Sequence, residues 1–354
     1  MDITALLGAL FTLGVSIASL SAIYNVFFHP LAGYPGPKLA AVTRLPWIRA
    51  LLTGNIGKYT QDIHQRYGKV VHIAPNELSY ITDRAWKDIY SHRPGHILLP
   101  KYEALYHAPP GGVHGILTAP HERHQGIRRL LSHAFSENAL REQEGLMTVY
   151  VDLLIRRLRQ VCNSENDAVD MVSWYNWTTF DLLGDLAFGE PFGCLKHSAY
   201  HSWVSTIFES NKVHAMIYAA NTYPSLFRVL QKLVPEPTRS TGGLTGTLSG
   251  MISSPIFSAI TKNVEMTPAA IRANAFHLII AGSETTATLL SGVTFYLLRN
   301  LKALRNLENE VGGAFQSESD ITITSVGKLK YMLAVLDEGM RLYSPIPQNR
   351  SAIG

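Results

Sequence analysis

An acid and an alcohol stand side by side at Glu284 and Thr285, inside the stretch Ala281-Gly282-Ser283-Glu284-Thr285-Thr286-Ala287. A carboxyl group taken out of water costs free energy unless it is paired, protonated or turned toward a wet cavity. An adjacent hydroxyl can pass a proton onward, so the pair suggests proton relay beside a ligand. Gly282 adds no side chain, which lets a ligand approach the backbone, and a Gly-Ser pair is a common place for a helix to bend. A plainer arrangement is also open, in which Thr285 and Thr286 bond back to carbonyls one turn earlier and Glu284 reaches a neighbouring helix.

The element that must position this pair is one long apolar helix. Thr267 followed by Pro268 supplies an N-cap hydroxyl and then a residue whose missing N–H costs nothing at the first helical position. From there Ile271, Ala275, Leu278, Ile279, Leu289, Leu290, Val293, Leu297 and Leu298 continue at helical spacing as far as Arg299 and Asn300. About 30 residues at 1.5 Å each make a rod of roughly 45 Å, enough to cross a domain. So apolar a helix should be buried.

The heptapeptide resembles the oxygen-activating motif in the central helix of the cytochrome P450 monooxygenases, and further matches follow in the family's order. The resemblance implies that Glu284 and Thr285 relay protons to dioxygen and that Ala281 and Gly282 flank the oxygen and substrate pocket. His124 and Arg128, in His121-Glu122-Arg123-His124-Gln125-Gly126-Ile127-Arg128-Arg129, share a helix face at i, i+4, a geometry that suits gripping an acidic group. The resemblance assigns both to the haem propionates, although most of the family carries Trp where His124 stands. By their types alone these residues also admit a zinc site at His121 and His124 or a solvated basic face. Glu338-Gly339-Met340-Arg341, on a helix marked by Leu329, Met332, Leu333, Leu336, Met340 and Tyr343, reads as an ordinary ion pair. By resemblance it is the ExxR pair that locks the haem-side core.

The rest of the chain gives these parts their setting. Of 354 residues 46% are hydrophobic and 16% charged, and the net charge of +4 is not gathered in a block, which argues against a nucleic-acid partner. Residues 3–28 carry no charge and are long enough for a bilayer, which needs about 20 residues. With Lys38, Arg44 and Arg49 following, the expectation is a single-pass anchor over residues 1–29 and a cytosolic globular part, residues 30–354. His29-Pro30-Leu31-Ala32-Gly33-Tyr34-Pro35-Gly36-Pro37 reads as a stiff linker, similar to the proline-rich hinge of microsomal, particularly fungal, family members. Val70-Val71-His72-Ile73 and Glu77-Leu78-Ser79-Tyr80-Ile81 read as two strands, with Asp83 capping a short helix after them. The run from Tyr67 to Gly95 is similar to the family's amino-terminal sheet region. Trp174-Tyr175-Asn176-Trp177-Thr178-Thr179-Phe180-Asp181 through Leu186-Ala187-Phe188-Gly189-Glu190-Pro191-Phe192-Gly193 reads as a packed helix ended by Gly and Pro, to which no chemistry is assigned. Thr241 to Gly250 is rich in Gly, Ser and Thr, where the family has charged helices over the substrate pocket.

The expected fold is therefore mainly α with a small β-sheet, cytochrome P450-like, behind an N-terminal transmembrane helix. The resemblance implies haem, electrons from NADPH through a cytochrome reductase, a small organic substrate and the endoplasmic reticulum membrane; secondary metabolism is an analogy with fungal members. The family's cysteine loop, FxxGxRxCxG, does not occur before Gly354, and Cys162 and Cys194 lack its flanking pattern. No metal-ligand set is read from spacing. The chain as given is thus expected to form no thiolate-ligated haem site. A non-catalytic, membrane-tethered remnant or a binding protein on the same scaffold is the alternative.

Overall fold

The structure, a computed structural model, describes residues 3–91, 99, 106, 113–132, 135–165, 168–202, 204–205, 215–216, 218–219, 222–223 and 267–345. The Gly/Ser/Thr-rich stretch at 241–250, the run Ser258-Ala259-Ile260, His133-Ala134 and the end of the sheet-region match near Gly95 lie outside the described residues. The chain forms two compact units, one from residues 1–105, 212–235 and 347–354 and the other from residues 106–211 and 236–346.

In the first unit α1 (Ile3–Phe27) is one uncharged helix whose described side chains are mostly exposed. Next come α2 (Lys38–Val42), α3 (Leu45–Leu52) and α4 (Ile56–Tyr67), then β1 (Val70–Ala74), β2 (Glu77–Tyr80) and α5 (Asp83–Tyr90). The strands pair antiparallel, Val70 opposite Tyr80 and His72 opposite Leu78. Alternation turns Val71 and Ile73 to one side, where they join Ile63 of α4 in a small core closed by Trp47, Tyr59 and Tyr67. The proline-rich segment is not a free spacer: Pro35 accepts the His72 N–H at 2.8 Å, so it lengthens the edge of β1. Gly36 is required there, because a Cβ would collide with the His72 carbonyl. Thr82, rather than Asp83, caps α5 by accepting the Ala85 N–H, and Asp83 becomes the first helical residue. Arg44 pairs with Glu77 at 2.6 Å and donates to the Tyr218 hydroxyl at 3.0 Å, tying the α2–α3 turn to the sheet.

The second unit contains α6 (His121–Ser132), α7 (Glu137–Glu142), α8 (Glu144–Glu165), α9 (Met171–Phe188), α10 (Cys194–His197), α11 (Pro268–Arg299), α12 (Leu301–Ala314), α13 (Ile323–Val326) and α14 (Lys330–Leu342). The central helix α11 starts as its sequence predicts, with Thr267 accepting the Ala270 N–H behind Pro268. Asn300 ends it and caps α12 through the Ala303 N–H. Its core partner is α9: Phe180 and Ala187 pack with Ile271, Ala275 and Ile279, and Ile127 and Leu131 of α6 join the same cluster. Asp170 caps α9 through the N–H groups of Val172 and Ser173, and Gly189, at φ 79°, stops it.

Asp181 is buried to 2% exposure and accepts the N–H groups of Cys194 and Leu195 at 2.9 and 2.8 Å, so it holds the start of α10 on α9. Burial pushes its carboxyl pKa up, and these same N–H donors pull it back.

Candidate functional site

The motif that opened the sequence argument sits in the middle of α11, and the helix passes through Gly282 and Ser283 without a break. The Gly-Ser pair does not interrupt the helix. Packing against α9 is why: Leu183 fills the space where a Gly282 side chain would go, with a built Cβ lying 2.5 Å from Leu183 Cδ1. Ser283, fully buried, donates to the Thr179 carbonyl at 3.4 Å, and further along Tyr175 and Thr294 share a hydroxyl contact of 2.8 Å. Gly282 thus serves the approach of two helices, and the room beside it is taken by protein.

The opposite face of α11 is different. Near its start the face is covered by residues 113–120: the Ile116 N–H reaches Asn274 Oδ1 at 2.7 Å, and Gly115 lies against the His277 ring. Asn274, itself fully buried, holds its other end to the Ala270 carbonyl at 2.8 Å. Near its end the face is covered by Tyr343, which packs on Gly292. Between these covers Ala281 is exposed, with Thr285 one turn on and half-buried. Along this face Ala281, Thr285 and Thr288 form a strip of small, mostly hydroxyl-bearing side chains about 10 Å long by helix rise, exposed at Ala281 and half-buried at the two threonines.

Thr285 donates its hydroxyl hydrogen to the Ala281 carbonyl, the plainer arrangement its sequence also allowed. Its oxygen lone pairs remain able to accept. Glu284, next to it and half-buried, makes no ion pair among the described residues. Acid and alcohol are therefore adjacent along the helix, with Thr285 beside the open strip.

On α6, Ile127 and Leu131 are buried in the core shared with α11, while His124 is half-buried and Arg128 exposed on the flank. Arg128 pairs with no acid among the described residues. His121 bonds to Gln125 at 3.0 Å, and no group of three metal-ligating side chains occurs among the described residues. Glu338 and Arg341 make a two-pronged ion pair, 2.6 Å at each prong, on the water-facing side of α14. Arg341 holds the Glu338 carboxyl below its ordinary pKa.

These residues fit the outline of haem in part: a strip of small side chains, Ala281, Thr285 and Thr288, for a flat ring and a histidine–arginine face for its carboxylates. The axial donor is another matter. Cys194 is sealed in the core, its sulfur accepting the His201 N–H at 3.3 Å, and burial pushes its thiol pKa up to about 11, against the thiolate form a metal needs. Cys162 is exposed on α8. Cys194 is thus held in the core as a thiol.

Sequence reading missed Asn274, Ser283 and Asp181, each of which bonds a residue at least 13 positions away. A signal existed in that all three are polar within otherwise apolar helical patterns.

Comparison with known proteins supplies the remaining finding. Residues 34–353 match the family model described as Cytochrome P450. The chain is 44% identical over 351 residues to cytochrome P450 monooxygenase astA of Talaromyces wortmannii, a match that takes in 95% of this chain and 71% of that protein. It is 42% identical over 339 residues to cytochrome P450 monooxygenase astJ of Aspergillus oryzae, covering 92% and 68%. It is also 39% identical over 353 residues to averantin hydroxylase of Dothistroma septosporum, covering 94% of this chain and 65% of that protein.

Proposed function

The chain belongs to the cytochrome P450 family, and from that membership we propose that it serves a haem-dependent monooxygenation of a small organic molecule in fungal secondary metabolism. One oxygen atom of dioxygen enters the substrate and the other leaves as water, with electrons from NADPH through a cytochrome reductase. The relatives are named as cytochrome P450 monooxygenases and, in one case, as averantin hydroxylase, which supports a small organic substrate. The observation that carries the reading is the strip of α11 left open at Ala281 and Thr285 between two covered ends, with Glu284 adjacent and α6 alongside.

Haem, when bound, supplies the redox-active iron of this chemistry. His124 and Arg128 hold its carboxylates, and Ala281 keeps the ring side of α11 low. Thr285 would offer its hydroxyl to the reaction space and take a fresh proton from the side of Glu284. Glu338 and Arg341 form a solvent-facing ion pair on α14. Neither Cys162 nor Cys194 would supply the haem's sulfur ligand. α1 anchors the protein in the endoplasmic reticulum membrane, with the globular part in the cytosol.

The relay is tested by Glu284→Gln and Thr285→Ala in an enzyme competent for turnover, measuring NADPH consumed against product formed. The expected outcome is a fall in coupling with reducing equivalents diverted to peroxide. Unchanged coupling in both variants would remove the relay role.

A further inference from the structure

Ser198 ends α10 in the left-handed conformation, at φ 51° and ψ 40°, and among the described residues no other side-chain-bearing residue has a positive φ. A helix end of this kind ordinarily carries glycine, sometimes asparagine, because a Cβ is crowded there. What sets this serine apart is the partner of its hydroxyl. Arg157, on α8, donates through Nη2 to Ser198 Oγ at 3.0 Å and through Nη1 to Gln160 Oε1 at 3.2 Å. Its Nε is shut off from water without an acceptor, and the guanidinium makes no ion pair among the described residues. A half-buried arginine bonded only to a neutral hydroxyl and a neutral amide has its fork of donors free to take an anion.

The surroundings carry the same sign. No aspartate or glutamate occurs from Leu153 to Ser164 on α8 or from Pro191 to Ser202 around α10, while Lys196 and His197, both exposed, stand in the turn that Ser198 closes. The buried Asp181 of α9 is occupied at the other end of α10 by the N–H groups of Cys194 and Leu195. Core packing sets the spacing between the two partners: Leu195, fully buried, lies in a cluster with Tyr150 and Trp174 against which Leu154, Leu158 and Val161 of α8 pack.

We propose that Ser198 is a phosphorylation site and that Arg157 is the receptor of its phosphate. The co-reactant is ATP, delivered by a protein kinase. A bond forms between Ser198 Oγ and the γ-phosphorus, the bond from that phosphorus to the bridging oxygen of ADP breaks, ADP leaves, and the hydroxyl proton passes to the base of the kinase. The product carries about −1.5 to −2 charges at neutral pH and three strong acceptor oxygens. Arg157 meets it with a charge-assisted, two-pronged pairing in place of its bond to Gln160, and Lys196 and His197 add positive charge from the exposed side. The modification fastens the end of α10 to α8. From that turn the chain runs on to Val204, fully buried in the cluster that holds Ile271, Ala275 and Ile279 of α11, so a charge added at the surface acts on the seat of the central helix. This goes beyond the oxygenation reading and does not depend on it. A bond serving structure alone would be lost when a phosphate takes the place of the hydroxyl hydrogen, which separates the two roles.

The test uses the full chain with phosphoserine installed at position 198 during synthesis, beside the unmodified protein, each also as Arg157→Gln. In a phosphorus NMR titration the second ionisation of the phosphate, ordinarily near about pH 6, is expected to fall when Arg157 is present and to return to its ordinary value with Arg157→Gln. An ordinary value in both proteins overturns the receptor. The melting temperature is expected to rise on phosphorylation with Arg157 and not with Arg157→Gln; a fall on phosphorylation of the otherwise unchanged chain overturns the proposal. If Arg157→Gln does not fold, Arg157→Lys, which keeps the charge but not the fork, is expected to give a smaller shift of the ionisation, and a shift of full size in that variant overturns the two-pronged pairing. Phosphopeptide mass spectrometry of the chain made in a fungal host, with Ser198→Ala as the blank, is expected to find phosphate at position 198. Serine there without any phosphate overturns the modification.

Discussion

Two helices flank α11, and they meet it in different ways. α9 seals its side: Leu183 occupies the space at Gly282, Ser283 bonds the Thr179 carbonyl, and Tyr175 reaches Thr294. α14 packs closely at one glycine, Gly339, against Leu289 and Val293, and then turns its charged pair, Glu338 and Arg341, to water. The same central helix thus has one side given wholly to folding and another where packing alternates with open surface. Neighbouring small residues take different meanings on the two sides. Gly282 is a packing glycine, whereas Ala281, its chain neighbour, stands on the open strip where a ligand can lie.

This contrast can be broken most severely at Asp181, which anchors α10 on the sealed helix. Asp181→Ala leaves two buried N–H groups without acceptors, at roughly 1–3 kcal/mol each. A loss of several kcal/mol in denaturant unfolding is expected, and a loss below about 1 kcal/mol would mean that water replaces the carboxylate. Next is Gly282→Val, which drives carbon into Leu183 and should cost about 1–3 kcal/mol by overpacking. A neutral result would show that α9 and α11 separate easily at that point.

The smallest effect is expected at Arg341→Ala. The pair is exposed, so no resolvable change in melting temperature should appear at neutral pH. Since Arg341 holds the Glu338 carboxyl below its ordinary pKa, the pair's small stabilisation is present above that ordinary value. It fades as the pH falls through the lowered native value. Measured melting curves that separate wild type from variant widely at neutral pH would show that the pair does structural work despite its exposure.

How much of this was readable from the residues follows from which contacts are local. Both ends of α11 were legible because Thr267, Pro268 and Asn300 act on neighbours within a turn. The strands were legible to within a residue because a two-residue period and Pro75-Asn76 define them locally. The cap of α5 was misplaced by one position, since Asp83 and Thr82 are both capping types and only backbone geometry chooses Thr82. Gly282 drew the wrong emphasis for a physical reason: whether its empty side faces a ligand or a leucine depends on α9, a hundred residues earlier. The cover formed by residues 113–120 was not legible at all, because a segment held by Asn274 and by contact with His277 needs no periodicity of its own. The family resemblance supplied what the residues left open at His124 and Arg128, which by type alone could equally be a solvated face.

The central claim is that the strip at Ala281 is a haem surface rather than bare helix. Its most direct test is a haem titration of the full chain, followed by the Soret band, for wild type and Ala281→Phe. Because Ala281 is exposed, the bulkier side chain should leave the unfolding transition of the haem-free protein unchanged. The account predicts that wild type takes up haem in a saturable manner and that Ala281→Phe loses this binding while keeping its fold. Saturable binding of equal affinity in both proteins would contradict it.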